Sequence, residues 1–130
     1  MQTFFLAMVL HPAVAKKAQE ELDRVVGKDR LPDFSDKDNL PYINAVVKEL
    51  FRWNPPLPFG VPNRVIQDDV YRGYFIPAGT SVIQNIWAIF RDQNVYPGPE
   101  AFNPDRFLKG GEIDPLVPNP EDRVFGSGRR

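Results

Sequence analysis

The sequence predicts a mainly helical domain with a small β-sheet, an α+β architecture. Three observations predict it. Apolar residues recur at helical spacing through residues 3–53, and short β-favouring runs separated by turns occupy residues 61–83. Prolines then crowd the remainder: most of the fourteen fall after Pro41, at roughly twice average usage. A folded C-terminal part must therefore be irregular, and a long irregular segment in a compact domain is often functional.

Each element has a local cause. The run Thr3 to Leu10 is apolar but far shorter than the ~20 residues a membrane-spanning helix needs. Met1 leads into it without a polar cap, and no basic n-region or cleavage pattern marks a signal peptide. His11-Pro12 ends this helix and starts the next, since Pro suits a first turn. Val14, Ala18, Leu22 and Val25 form one apolar face of the second helix. Glu20 and Arg24 are expected to pair across one turn on its wet side, where Glu21 and Asp23 also fall, and Gly27 is expected to end it. Residues 28–38 are polar and turn-rich. Asn39 is expected to cap a third helix, with Pro41 in its first turn and Ile43, Val46, Val47 and Leu50 as its core stripe. Asn54-Pro55-Pro56 ends it, because a residue preceding Pro resists the α region.

Beyond Val61 the β-favouring runs are Val65-Ile66, Val70-Tyr71, Tyr74-Phe75-Ile76 and Ser81-Val82-Ile83. Asp68-Asp69, Gly73 and Pro77-Ala-Gly79 separate them as turns. Residues 85–91 suggest a short helix, with Trp87, Phe90 and the earlier Trp53 as packing residues.

Composition excludes several functions. Lys+Arg 16 against Asp+Glu 17 gives a net charge of -1, unlike an electrostatic nucleic-acid binder. The chain has no cysteine, hence no disulfide or thiolate, and its single histidine, His11, cannot build a multi-His metal site. No Ser-His-Asp triad or well-placed carboxylate pair stands out.

Three constellations remain. Glu49 and Arg52 share a helix face, and on spacing alone the simpler reading is an exposed ion pair worth ~0–1 kcal/mol. The sharper reading brings in Arg106, so that one carboxylate bridges two guanidinium groups and ties the irregular tail to the helix. Phe125-Gly126-Ser127-Gly128-Arg129-Arg130 combines an aromatic, two permissive glycines and two cations, which suits a flat, anionic, apolar ligand. Its plainer reading is a Gly-Ser turn with solvated arginines, and it lacks a full phosphate-loop pattern. Arg64, after the Pro55 to Pro62 bend, is by itself a surface arginine.

In this order, the three landmarks resemble the C-terminal half of a cytochrome P-450, the haem-thiolate monooxygenases. The likeness runs from about Thr3 to Arg130. Glu49-Leu-Phe-Arg52 is similar to the family's Glu-x-x-Arg helix. Phe102-Asn-Pro-Asp-Arg106-Phe107 is similar to its Phe-x-Pro-Glu-Arg-Phe segment, with Asp105 in place of Glu. Residues 125–130 are similar to the first six positions of Phe-x-x-Gly-x-Arg-x-Cys-x-Gly. The hairpin wording from Asp69 to Thr80 resembles fungal or other eukaryotic microsomal members.

The resemblance implies a partial cytochrome P-450 fold, with residues 1–130 as a single incomplete domain ending before the iron-ligating Cys. It implies a structural triad of Glu49, Arg52 and Arg106, and a haem cofactor with Arg64 and Arg130 on the propionates. Phe125, Gly126 and Gly128 would lie beside the haem, and Phe59 and Val61 near the substrate. For an intact parent it implies an apolar small-molecule substrate, O2, an electron-donating reductase and an endoplasmic reticulum membrane anchor. This chain, without a cysteine, is expected not to catalyse the reaction. The alternative is an inactive truncated gene product or pseudogene fragment that keeps only a haem-pocket remnant.

Overall fold

A computed structural model describes residues 2–126. Ser127, Gly128, Arg129 and Arg130 lie outside the described residues, and with them two of the expected haem contacts, Gly128 and Arg130.

Helices α1 (Gln2–Leu10) and α2 (Pro12–Val25) meet at His11, and α3 (Pro41–Trp53) packs against both. Beyond α3 come the short strands β1 (Asn63–Arg64), β2 (Asp69–Tyr71), β3 (Tyr74–Ile76) and β4 (Ser81–Val82), then helix α4 (Ile86–Ile89). A 3-10 turn (Pro104–Phe107) leads into β5 (Leu108–Lys109) and β6 (Glu112–Ile113), and α5 (Glu121–Val124) follows. The expected α+β class holds, but in place of one small sheet the described residues form three antiparallel two-stranded ladders, β1–β4, β2–β3 and β5–β6. The first ladder begins at Asn63–Arg64, so Val65-Ile66 is not a strand. Arg72 (φ 51) and Gly73 (φ 84) close the β2–β3 hairpin with two left-handed residues, the form that matches strand twist.

The core divides in two across α3. On one side Ala45, Ile86, Phe90, Tyr96 and Phe107 pack together; on the other, Ala7, Tyr42, Val46 and Phe102 do. Leu108 touches both clusters. The expected stripe of α3 holds in part: Val46 is buried and Leu50 packs against its cluster. The buried face of α3 runs through Tyr42, Ala45, Val46, Glu49 and Arg52. Ile43 and the exposed Val47 instead line an apolar groove of about 280 Å³ with Phe4, Met8 and Leu22. The Pro-rich tail causes this shift by covering the Glu49–Arg52 face.

Three further expectations fail, the first within α2 itself and the other two where α2 meets α3. Glu20 pairs with Lys16 (3.9 Å), not Arg24, which approaches Glu21 at 3.9 Å. Asn39 does not cap α3: Leu40 holds the cap position without a side-chain bond. Glu21, expected on the wet face, is buried, and its carboxylate accepts from the Tyr42 and Ile43 amides at 3.1 and 2.9 Å.

Helix α1 is apolar all round, and Phe5, Leu6, Val9 and Leu10 stay exposed. Such a helix normally sits inside a larger core. The accessible surface, 9628 Å², exceeds the ~7,000 Å² expected of a folded monomer this size.

The 28–38 segment forms a 3-10 helix, Phe34–Asn39, held by a bidentate clamp. Arg30 Nη1 and Nη2 donate to Asp36 Oδ2 and Oδ1 at 2.7 and 2.6 Å. The Arg30 hydrogen bonds, then the Asp33 N–H, hold the Asp36 carboxyl down at about 2. A depressed carboxylate stabilises the fold above its usual unfolded value and loses that contribution as pH falls through the folded value. Amides of the Phe34–Asn39 helix should therefore lose exchange protection as pH drops from about 4 to about 2. In Asp36→Asn that acid step should shrink to what the Asp33 cap contributes, since the Ser35 hydrogen bonds also hold Asp33 below its usual value; an unchanged step would assign it to another carboxylate.

Candidate active site

The centre of the molecule is polar. Glu49 and Arg52 are both 0% exposed. Arg52 Nε and Nη2 donate to Glu49 Oε2 and Oε1 at 2.7 and 2.9 Å, a bidentate fork. Arg106, its side chain 8% exposed, reaches Glu49 Oε1 through Nε at 3.3 Å. The Asn103 N–H takes the same oxygen at 2.7 Å.

The tail needs this cluster as much as the cluster needs the tail. Irregular, Pro-rich backbone leaves carbonyls outside any ladder, and buried carbonyls must find donors. The two guanidinium groups supply them. Arg52 donates to the carbonyls of Phe90 (3.1 Å), Pro99 (2.8 Å) and Ala101 (3.1 Å). Arg106 serves those of Pro97 (2.7 Å), Gly98 (3.1 Å) and Ala101 (3.2 Å). Asn103 caps the 3-10 turn by accepting from the Asp105 N–H at 3.1 Å, which fixes the backbone from which Arg106 projects. The Tyr96 ring lies 5.7 Å from the Arg52 guanidinium, and its hydroxyl donates to the Pro118 carbonyl at 2.9 Å. Burial pushes that hydroxyl up to about 12, against the pull of Arg52, so it stays a neutral donor.

A cleft of about 280 Å³ is lined by Leu57, Val61, Asn63, Arg123, Phe125 and Gly126 among others, and it shares Ile86 with the core cluster of Ala45, Phe90, Tyr96 and Phe107. Phe125 is 71% exposed and rests its ring on Phe51, with centroids 5.5 Å apart at 72°. Gly126 has φ 85, a conformation that spares the chain a Cβ where it turns. The structure thus brings Val61, Phe125 and Gly126 to one cleft. Phe59 lines a separate, more open hollow with Pro62, Ile83 and Asn85. Arg64 is exposed on β1 and lies along the Gly79 turn, where an added Cβ would meet its Nη2 at 3.5 Å. Its neighbour Asn63, on the opposite face of the strand, lines the cleft.

His11 stacks on Phe102 (5.0 Å, 25°) and meets Trp53 edge-on, as a packing residue at the helix junction. Among the described residues no group of His, Cys, Asp or Glu could hold a metal ion, and no helix is long and apolar enough to cross a membrane.

A Glu-x-x-Arg pair is thus buried on a helix and bridged to a second arginine in a Pro-rich segment. The family model of cytochrome P450 matches residues 1–130, and the chain belongs to that family. It is 54% identical over 129 residues to the cytochrome P450 monooxygenase COX2 of Coprinopsis cinerea, covering 99% of this chain and 24% of that protein. It is 51% identical over 131 residues to the cytochrome P450 monooxygenase 176 of Postia placenta, covering 100% of this chain and 25% of that one. Against COX1 of Coprinopsis cinerea identity is 50% over 129 residues, 99% of this chain and 25% of the relative. The chain thus spans about a quarter of the length of these curated relatives.

Sequence reasoning missed Glu21 and Lys17 in α2, and Tyr96 and Asn103 in the tail. Only Asn103 carried a signal, as an Asn directly before Pro at the head of a turn. For Glu21 no local pattern exists, since its partners lie 21 and 22 residues away.

Proposed function

We propose that this chain forms part of a haem-dependent monooxygenase that inserts one oxygen atom from O2 into an apolar organic substrate, with electrons from a reductase partner. The observation that carries the proposal is the buried Glu49–Arg52–Arg106 network, which anchors the irregular tail to α3. The residues present suit a flat, apolar, dianionic macrocycle: an exposed aromatic, a close-approach glycine and aliphatic walls at Leu57 and Val61 meet a cation at Arg123. Phe125 and Gly126 would pack against the haem, and Arg130 would take a carboxylate by a guanidinium fork, whereas Arg64 lies along the Gly79 turn on the far face of β1 and would reach the group only after its side chain swings away from that turn. Haem, when bound to a thiolate, supplies the oxygen-activating chemistry. This chain's part is to hold the group, order the backbone around it and exclude water. Val61, and Phe59 from the neighbouring hollow, would meet the substrate.

The relatives named as monooxygenases support this reading for an intact protein. The chain by itself contains no cysteine, which supports an inactive product when it stands alone. The test has two arms. A chimera in which this chain replaces the matching quarter of the Coprinopsis cinerea COX2 relative should retain haem and turn over, and Glu49→Ala in that chimera should lose the haem. The isolated chain with haemin and reductase should give no product. A chimera that folds but takes no haem would remove the haem reading, and turnover by the isolated chain would remove the inactive one.

A further inference from the structure

Helix α3 supplies no cap of its own. The Leu40 side chain offers no acceptor, and Pro41 has no N–H. The next two amides, Tyr42 and Ile43, both donate to the Glu21 carboxylate, which is 8% exposed and comes from the body of α2. A carboxylate at a helix N-terminus satisfies orphan donors and meets the positive end of the dipole. One turn earlier on the same face of α2, Lys17 places its ammonium 2.6 Å from Asp105 Oδ1 and 4.2 Å from the centre of the Tyr42 ring. Burial, with the charges of Asp105 and Glu21, pushes the Tyr42 hydroxyl up to about 12, which keeps the ring neutral beneath the ammonium.

One pair of residues four apart on α2 therefore grips two elements. Glu21 holds the first turn of α3, and Lys17 holds the residue beside Arg106. Glu49 lies two turns along α3 from Tyr42, on the same buried face. A helix is stiff along its axis, so a slip of its first turn is transmitted to Glu49. There a carboxylate oxygen must meet the Asn103 amide at 2.7 Å and Arg106 Nε at 3.3 Å together.

We propose that Glu21 and Lys17 are positioning residues for the Glu49–Arg52–Arg106 network: they set α3 against the Pro104–Phe107 turn, so that Glu49 accepts from both Asn103 and Arg106. The purpose of the network rests on the haem reading above; the positioning itself does not, and its test uses no haem.

The test is amide hydrogen exchange, resolved by residue, on the full chain. Three amides are followed: Ile43, which Glu21 caps; Asn103, which touches Glu49 and not Glu21; and Gly60, bonded to the Gln84 carbonyl at 2.8 Å in a remote loop. In Glu21→Leu, exchange at Ile43 and Asn103 should rise by about tenfold or more while Gly60 keeps its rate. Glu21→Gln, which retains one carbonyl oxygen, should restore part of the protection at both. If Ile43 speeds up alone, Glu21 is a local cap and the proposal falls. If all three rise together, the effect is general destabilisation and the proposal falls as well. Should Glu21→Leu fail to fold, Lys17→Met is decisive. Its loss of the Asp105 contact should accelerate Asn103 and spare Gly60, and an unchanged Asn103 overturns the positioning role. A chimera that takes no haem would leave these exchange results intact, so the two failures are distinguishable.

Discussion

Arg52→Lys is expected to destabilise the chain by ~3–5 kcal/mol although it conserves the charge. Arg52 donates five hydrogen bonds from a fully buried position, two to Glu49 and three to the carbonyls of Phe90, Pro99 and Ala101. An ammonium carries three protons and no planar fork. At least two of the five bonds would be lost in a site closed to water, at about 1–3 kcal/mol for each acceptor left bare; the Phe90 and Pro99 carbonyls are the most at risk, since Ala101 and Glu49 Oε1 also accept from Arg106. The Glu49 carboxylate would also keep only part of its compensation. Domains of this size have a margin of about 5–15 kcal/mol, so the variant should fall near the edge of folding. Urea unfolding measures this directly, as a lower midpoint at unchanged slope. A loss under about 1 kcal/mol would mean that the carbonyls find other donors, and the account of the tail as held by Arg52 would not stand.

Phe107→Ala comes next in expected size, at about 3–5 kcal/mol. Phe107 is 1% exposed, in the cluster with Ala45, Ile86, Phe90 and Tyr96, and its ring centroid is 6.3 Å from that of Tyr96. It follows Arg106 directly, so one short turn presents a cation to the buried carboxylate and an aromatic to the apolar cluster. Phe107→Leu, which leaves a smaller void, should cost clearly less. Equal losses in the two variants would point to backbone disruption of the turn and not to a cavity, since cavity costs scale with the volume removed.

These two predictions explain why the central site was only half legible. Glu49 and Arg52 stand three apart on a helix, and local physics favours an exposed pair of little worth. What buries them is a chain segment around 50 residues away, whose prolines leave carbonyls without ladder partners. Spacing cannot reveal that closure. The order of three motifs could, because a resemblance carries tertiary information that periodicity lacks. The α3 stripe was read only in part for the same reason: Val46 and Leu50 do pack inward. Hydrophobicity pointed to Ile43, Val46, Val47 and Leu50, whereas the tail covers the Tyr42–Glu49–Arg52 side and leaves Val47 at the surface.

What the sequence determined by itself was local. His11-Pro12 and Gly27 bound α2, and Pro41 and Asn54-Pro55 bound α3, because Pro and Gly act through their own backbone geometry. The β2–β3 hairpin and, among the described residues, the lack of long elements in the Pro-rich C-terminal part were equally readable. The tertiary structure alone decided which donors meet which acceptors. It set Glu21 under the first turn of α3, not Asn39, and turned Arg64 toward the Gly79 turn while Asn63 lines the cleft. Hydrogen bonds of buried groups are satisfied by whatever the fold brings within about 3 Å, and sequence distance places no limit on that choice.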